Sequence, residues 1–134
     1  MFSMAWMLLG CTLGDEMCTT DTAETSFLKV DLEHDEQDGI YDIAVEWDAE
    51  RASCTATWPD DESSCAGPSN FYLHTGSGTW RFTIEDEAPA EVAITVERDD
   101  VVLYDDTIVP EYTLNEYPNC PDRDNAWARV SISY

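Results

Sequence analysis

The chain has 134 residues and a formal charge of −23, from 29 Asp and Glu against six Lys and Arg. Phosphate backbones are held by Lys and Arg, so this balance excludes a nucleic-acid partner. It equally excludes attachment to anionic headgroups through a basic patch, so any membrane attachment must come from lipid. A hydrophobic fraction of 43% at this length suits one globular domain with a true core. Self-repulsion at such charge density is relieved by salt or divalent cations, and a salty habitat is its plain explanation.

In chain order, the first element is an apolar run over residues 1–10, ending in Leu8-Leu9-Gly10 ahead of Cys11. An apolar run, a small residue and then a cysteine form the pattern of a bacterial lipoprotein signal, with Cys11 carrying lipid after cleavage. The run holds none of the Lys or Arg that a secretory n-region carries, which a start lying further upstream would explain. The alternative is an ordinary hydrophobic N-terminal strand whose cysteine pairs normally. Asp15 and Glu16 end the apolar stretch well short of the roughly 20 residues a transmembrane helix needs.

Residues 11–26, rich in Thr, Asp and Glu without periodicity, read as a flexible acidic tether ahead of a folded domain at 27–134. The five cysteines are Cys11, Cys18, Cys54, Cys65 and Cys120. Assigning Cys11 to lipid leaves an even set suited to disulfides in an oxidising compartment. Four cysteines allow three connectivities. The preferred one joins Cys54 to Cys65 across a short polar loop, and Cys18 to Cys120 between tether and last strand. No pair has C-x-x-C spacing, and neither His34 nor His74 lies near a cysteine. No metal site is therefore expected.

Within the folded part, apolar residues recur at every second position, the signature of half-buried strands. Leu28, Val30 and Leu32 alternate with Lys29, Asp31 and Glu33; Tyr41, Ile43, Val45 and Trp47 with Asp42, Ala44 and Glu46. Ala52, Cys54, Ala56 and Trp58 follow the same rule, as do Trp80, Phe82 and Ile84, and then Val92, Ile94 and Val96. Residues 101–104 and 126–134 complete the set, with a shorter strand near 71–73. Turn signals at Asp38-Gly39, Gly67-Pro68, Gly76-Ser77-Gly78, Ala88-Pro89 and Asp99-Asp100 separate them. Residues 92–107 form the clearest hairpin, with Asp99-Asp100 at its tip. About seven or eight such strands call for an all-β, antiparallel β-sandwich, immunoglobulin-like or transthyretin-like.

Catalytic motifs fail one by one. Ser77 in His74-Thr75-Gly76-Ser77-Gly78 lacks the Gly two residues before Ser that a nucleophile elbow requires. Neither histidine has a recognisable nucleophile partner, and no P-loop, dinucleotide fingerprint or H-E-x-x-H occurs. No cofactor and no enzyme activity are expected. Calcium is the one ion to weigh, through the carboxylates of residues 31–38, Asp60-Asp61-Glu62, Asp99-Asp100, Asp105-Asp106 and Asp122 with Asp124. With 29 acids in the chain, such clusters arise by chance, and solvated loops account for them better. Paired carboxylates of glycosidase type meet the same objection.

The tryptophans divide by phase. Trp6 lies in the signal, while Trp47, Trp58 and Trp80 fall in phase with buried positions. Trp127 is out of phase: with Ala126, Ala128, Val130 and Ile132 inward, it shares the outer face with Arg129 and Ser131. An outward Trp stacks on a sugar or a partner protein, unless the tether or residues 117–122 cover it. Trp127 is the candidate contact residue.

The arrangement resembles a group of small bacterial lipoproteins with one β-sandwich domain and no assigned activity. The resemblance is carried by Leu8-Leu9-Gly10-Cys11, Ile94-Thr95-Val96-Glu97-Arg98-Asp99-Asp100 and Tyr117-Pro118-Asn119-Cys120. It implies an envelope address without a catalytic site, and Thr12 after the lipidated cysteine is compatible with outer-membrane sorting. The expectation is a lipid-anchored, disulfide-stabilised binding or structural module outside the cytoplasm. Its place is the outer membrane, on the periplasmic or surface side, or the secreted fraction. A protein or glycan is the expected partner. A calcium-dependent adhesion domain and a secreted hydrolase are the alternatives.

Overall fold

The structure, a computed structural model, describes residues 25–33, 36–76, 79–116 and 125–134. Ten strands form among these residues: β1 Phe27–Glu33, β2 Gly39–Trp47, β3 Glu50–Trp58, β4 Ser63–Ala66, β5 Phe71–His74, β6 Trp80–Glu85, β7 Val92–Arg98, β8 Val101–Ile108, β9 Thr113–Asn115 and β10 Asn125–Ser133. They make two five-stranded sheets, ordered β5-β6-β1-β10-β9 in the first and β4-β3-β2-β7-β8 in the second. The chain is an all-β sandwich.

Each alternating row supplies one wall of the core. Leu28, Val30 and Leu32 of β1, Trp80, Phe82 and Ile84 of β6, and Ala128 and Ile132 of β10 are buried from the first sheet. Tyr41, Ile43, Val45 and Trp47 of β2 meet them from the second, beside Ala52, Cys54 and Ala56 of β3 and Val92, Ile94 and Val96 of β7. Each such aliphatic or Phe side chain taken from water stabilises the fold by roughly 1.5–3 kcal/mol. Small residues on β3 make room for the aromatics opposite. Trp80 meets Tyr41 edge-on at 5.0 Å, and Phe71 stacks between Trp47 and Phe82 at 5.8 and 5.5 Å. The buried indoles keep their hydrogen bonds: Trp80 Nε1 donates to Asp61 Oδ1 at 2.9 Å and Trp47 Nε1 to Glu87 Oε2 at 3.1 Å. Trp58 is half-buried against this cluster.

Two hairpins close on two-residue turns with both central residues in the left-handed region. Asp48 and Ala49 have φ of 43° and 65°, and Asp99 and Asp100 have φ of 49° and 70°. That conformation matches the right-handed twist of the flanking strands. Asp99 reinforces its turn, since its Oδ1 accepts the Ile40 N–H at 3.1 Å.

Three features depart from expectation. The strand count exceeds the expected seven or eight because β4 and β9 are added. β4 is exposed at all four positions, and β9 has three residues, so neither shows the contrast that alternation requires. β8 runs to Ile108, one residue past the end of the expected 92–107 hairpin. Pairing is not wholly antiparallel either. β1 and β10 run parallel in the middle of the first sheet, Phe27 beside Trp127 through Glu33 beside Ser133. The Cys54–Cys65 disulfide is present. It joins paired residues of β3 and β4 within one sheet, unlike the inter-sheet bridge of antibody domains.

Candidate functional site: an aromatic and basic sheet face

The parallel β1–β10 pairing builds the most distinctive surface of the molecule. Residues of β1 that alternate with the buried row are Phe27, Lys29, Asp31 and Glu33, and their neighbours on β10 are Trp127, Arg129, Ser131 and Ser133. On the other flank, β6 sets Glu85, Thr83 and Arg81 beside Phe27, Lys29 and Asp31. Period-two geometry puts all of these on the outer face. Phe27 and Trp127 stack with centroids 6.1 Å apart and planes at 22°. The Lys29 ammonium lies 4.9 Å from the Phe27 ring centroid, a cation–π contact. One step along the strands, Lys29 and Arg129 are side by side. The result is a block of two rings and two cations, about 7 Å on the long side.

Asp31 anchors the cations beyond this block. Its Oδ1 accepts Arg81 Nε at 2.5 Å and its Oδ2 accepts Arg129 Nε at 3.0 Å. Burial alone would raise the Asp31 pKa, but the two guanidinium hydrogen bonds and their charges outweigh it and hold the carboxyl below its ordinary range. A depressed carboxyl contributes stability at neutral pH that is lost as pH falls through the folded-state value. Arg129 makes this bond through Nε, and its side chain is 57% exposed. Thr83 points outward yet is 3% exposed, because Lys29 and Tyr72 flank it on the neighbouring strands. Tyr72 donates to Glu85 Oε1 at 2.8 Å, and Ser133 to Glu33 Oε2 at 2.8 Å. The hydrogen bond to the Glu85 carboxylate, with lesser burial, raises the Tyr72 pKa. The carboxylates of this face are thus taken up by neighbours, while Lys29 makes no ion pair among the described residues.

Trp127 sits within this block, half-buried against Phe27. The partners Phe27, Lys29, Arg81 and Asp31 were not legible as a group, because only strand register assembles them. Cys11, Cys18, Cys120, His34 and Ser77 lie outside the described residues. His74 is exposed on β5, beside Arg81 of β6. The acidic clusters considered for calcium are dispersed. Asp31 holds two arginines, Asp61 accepts the Trp80 indole, and Asp99 accepts the Ile40 N–H of β2. Asp105 accepts the Thr95 hydroxyl at 3.4 Å. Among the described residues no three His, Cys, Asp or Glu converge as a metal site; Asp122 and Asp124 fall outside them.

The outer face of the second sheet offers a contrast. Ala44, Ser53 and Thr95 floor a shallow depression of about 460 Å³ bordered by Asp42, Glu97 and Arg51. It holds no aromatic ring, and its Arg51 is paired with Glu46.

Comparison with protein-family models, curated proteins and solved structures yields no match. The functional reading therefore rests on the residues themselves.

Proposed function

We propose that this chain is a lipid-anchored module of the cell envelope that binds a partner through the outer face of the first sheet and performs no catalysis. The observation that carries the binding half is the Phe27–Trp127–Lys29–Arg129 block. Aromatic and Arg side chains are what contact surfaces enrich, and here the half-buried Phe27 and Trp127 adjoin the exposed Arg129.

Support for the anchor comes from Leu8-Leu9-Gly10-Cys11 and the odd cysteine count. Ser26 Oγ accepts the Ala126 N–H at 3.0 Å, so the chain leading from the tether enters the sheet beside Trp127. The partner face then lies at the anchored end of the domain. The segments carrying Cys18 and Cys120 lead into β1 and β10, which start side by side. This supports the Cys18–Cys120 pairing.

The test is expression in a bacterial host with the native upstream sequence, followed by intact-mass analysis of the membrane fraction. The expected product begins at Cys11, carries acyl mass and lacks four thiol protons. The Cys11→Ser variant should leave the membrane fraction. An unmodified N-terminus on a membrane-free protein would overturn the anchor.

A further inference from the structure

We propose that the open edge of β10 pairs with the same edge of a second copy of this chain, joining two first sheets into one continuous sheet. The inference stands apart from the partner face proposed above.

β10 runs from Asn125 to Ser133, but on the side away from β1 the strand β9 covers only Asn125, Ala126 and Trp127. From Ala128 onward no described strand pairs with that side. Two hydrogen bonds fix which backbone groups the open edge offers. The Ala126 N–H is spent on Ser26 Oγ and the Tyr134 N–H on the Glu33 carbonyl, both toward β1. Successive residues of a strand turn their N–H and C=O to opposite sides. Arg129, Ser131 and Ser133 therefore turn theirs to the open edge.

That set is complementary to itself. With a twofold axis through Ser131, the two Ser131 residues exchange both backbone hydrogen bonds, and each Arg129 does so with Ser133 of the second copy. All three donors and all three acceptors of each copy are then used. On the inner side, half-buried Val130 comes opposite Ile132 of the second copy. On the outer side, Arg129 arrives beside a Ser133 whose Oγ is bonded to Glu33, so its exposed side chain meets a carboxylate of the other copy. Opposed residues share a face of the sheet, which sets both Phe27–Trp127 stacks on the same side.

Charge selects this edge. β10 carries no Asp or Glu in a chain that has 29. The other long edge, β8, carries Asp105 and Asp106, the kind of charged residue that blocks edge pairing. Repulsion between two copies of charge −23 opposes the dimer at low salt. At 1 M salt the Debye length is about 3 Å and that repulsion is screened. One strand per copy makes a small interface, so the dimer forms with rising concentration.

The test follows the full chain over a concentration series in about 1 M NaCl, by sedimentation and amide hydrogen exchange. Mass is expected to rise from 15.1 kDa toward twice that value. Exchange at the Ser131 and Ser133 amides should slow several-fold in step, while Val130 and Ile132, turned toward β1, should not change. Ser131→Lys sets two ammonium groups against each other at the axis, beside Asp31 of its own chain, and should keep the protein monomeric. Thr107→Lys on β8 should leave association unchanged. The wild-type exchange pattern decides the question without any variant. A 15.1 kDa species at every concentration would overturn the proposal. So would association that slows amides of β8 instead, or that survives Ser131→Lys.

Discussion

The two outer faces of the sandwich are built on the same alternation yet carry opposite chemistry. Each holds a like-charge pair on adjacent strands: Lys29 beside Arg129 on the first sheet, Asp42 beside Glu97 on the second. In so acidic a chain the second pair needs no explanation. The first is offset by Asp31, which pairs with Arg129, and by the Phe27 ring under the Lys29 ammonium. Aromatic rings adjoin the cationic pair, whereas Ala44, Ser53 and Thr95 surround the acidic one. One face is thus a solvated acidic surface, and the other sets aromatic rings beside cations that Asp31 and Phe27 engage.

The comparison breaks most sharply at Asp31. Asp31→Asn removes the charge bound by Arg81 and Arg129 and should cost about 2 kcal/mol, while Asp42→Asn on the opposite face should change stability by less than about 0.5 kcal/mol. Urea unfolding at neutral pH measures both. Because the Asp31 carboxyl is held below its ordinary value, its contribution is complete above roughly pH 4 and disappears on further acidification. The gap between wild type and Asp31→Asn should accordingly close as pH falls through the lowered folded-state value, as repeated unfolding curves would reveal.

Salt separates the faces next. Screening relieves the repulsion of the acidic surface and weakens the exposed part of the Asp31 network, and at −23 the first effect wins. Raising NaCl from low concentration to about 1 M should lift Tm by roughly 5 °C or more, and calorimetry decides it. A smaller effect follows from the like-charge pairs. Glu97→Lys should gain about 0.5 kcal/mol by turning the repulsion from Asp42 into an attraction. Lys29→Glu should gain a similar amount beside Arg129 but abolish binding. Stability gained with binding lost, on one face only, would sharpen the comparison. Arg51→Gln, which removes an exposed pair with Glu46, should be the mildest, within about 0.5 kcal/mol.

Much of the fold was legible because each buried row obeys period two: Leu28, Val30 and Leu32, or Val92, Ile94 and Val96, sit at the positions their spacing demanded. Trp127 was singled out by parity alone. The strands Ser63–Ala66 and Thr113–Asn115 were missed because an edge strand with exposed residues carries no alternation. The basic face was missed for a different reason. Arg81 and Arg129 are 50 and 98 residues from Asp31 in the chain, and only the antiparallel pairing of β1 with β6 and its parallel pairing with β10 bring them together. Local pattern encodes which way a side chain points, whereas a site made of three strands depends on register.

The most direct test of the contact face is hydroxyl-radical footprinting of the chain in native envelopes against the purified protein. The account predicts that labelling of Phe27 and Trp127 falls several-fold in envelopes, while the exposed Ile40 and Val102 label equally in both. Unchanged labelling of Trp127, with protection at Ile40 and Val102 instead, would contradict it.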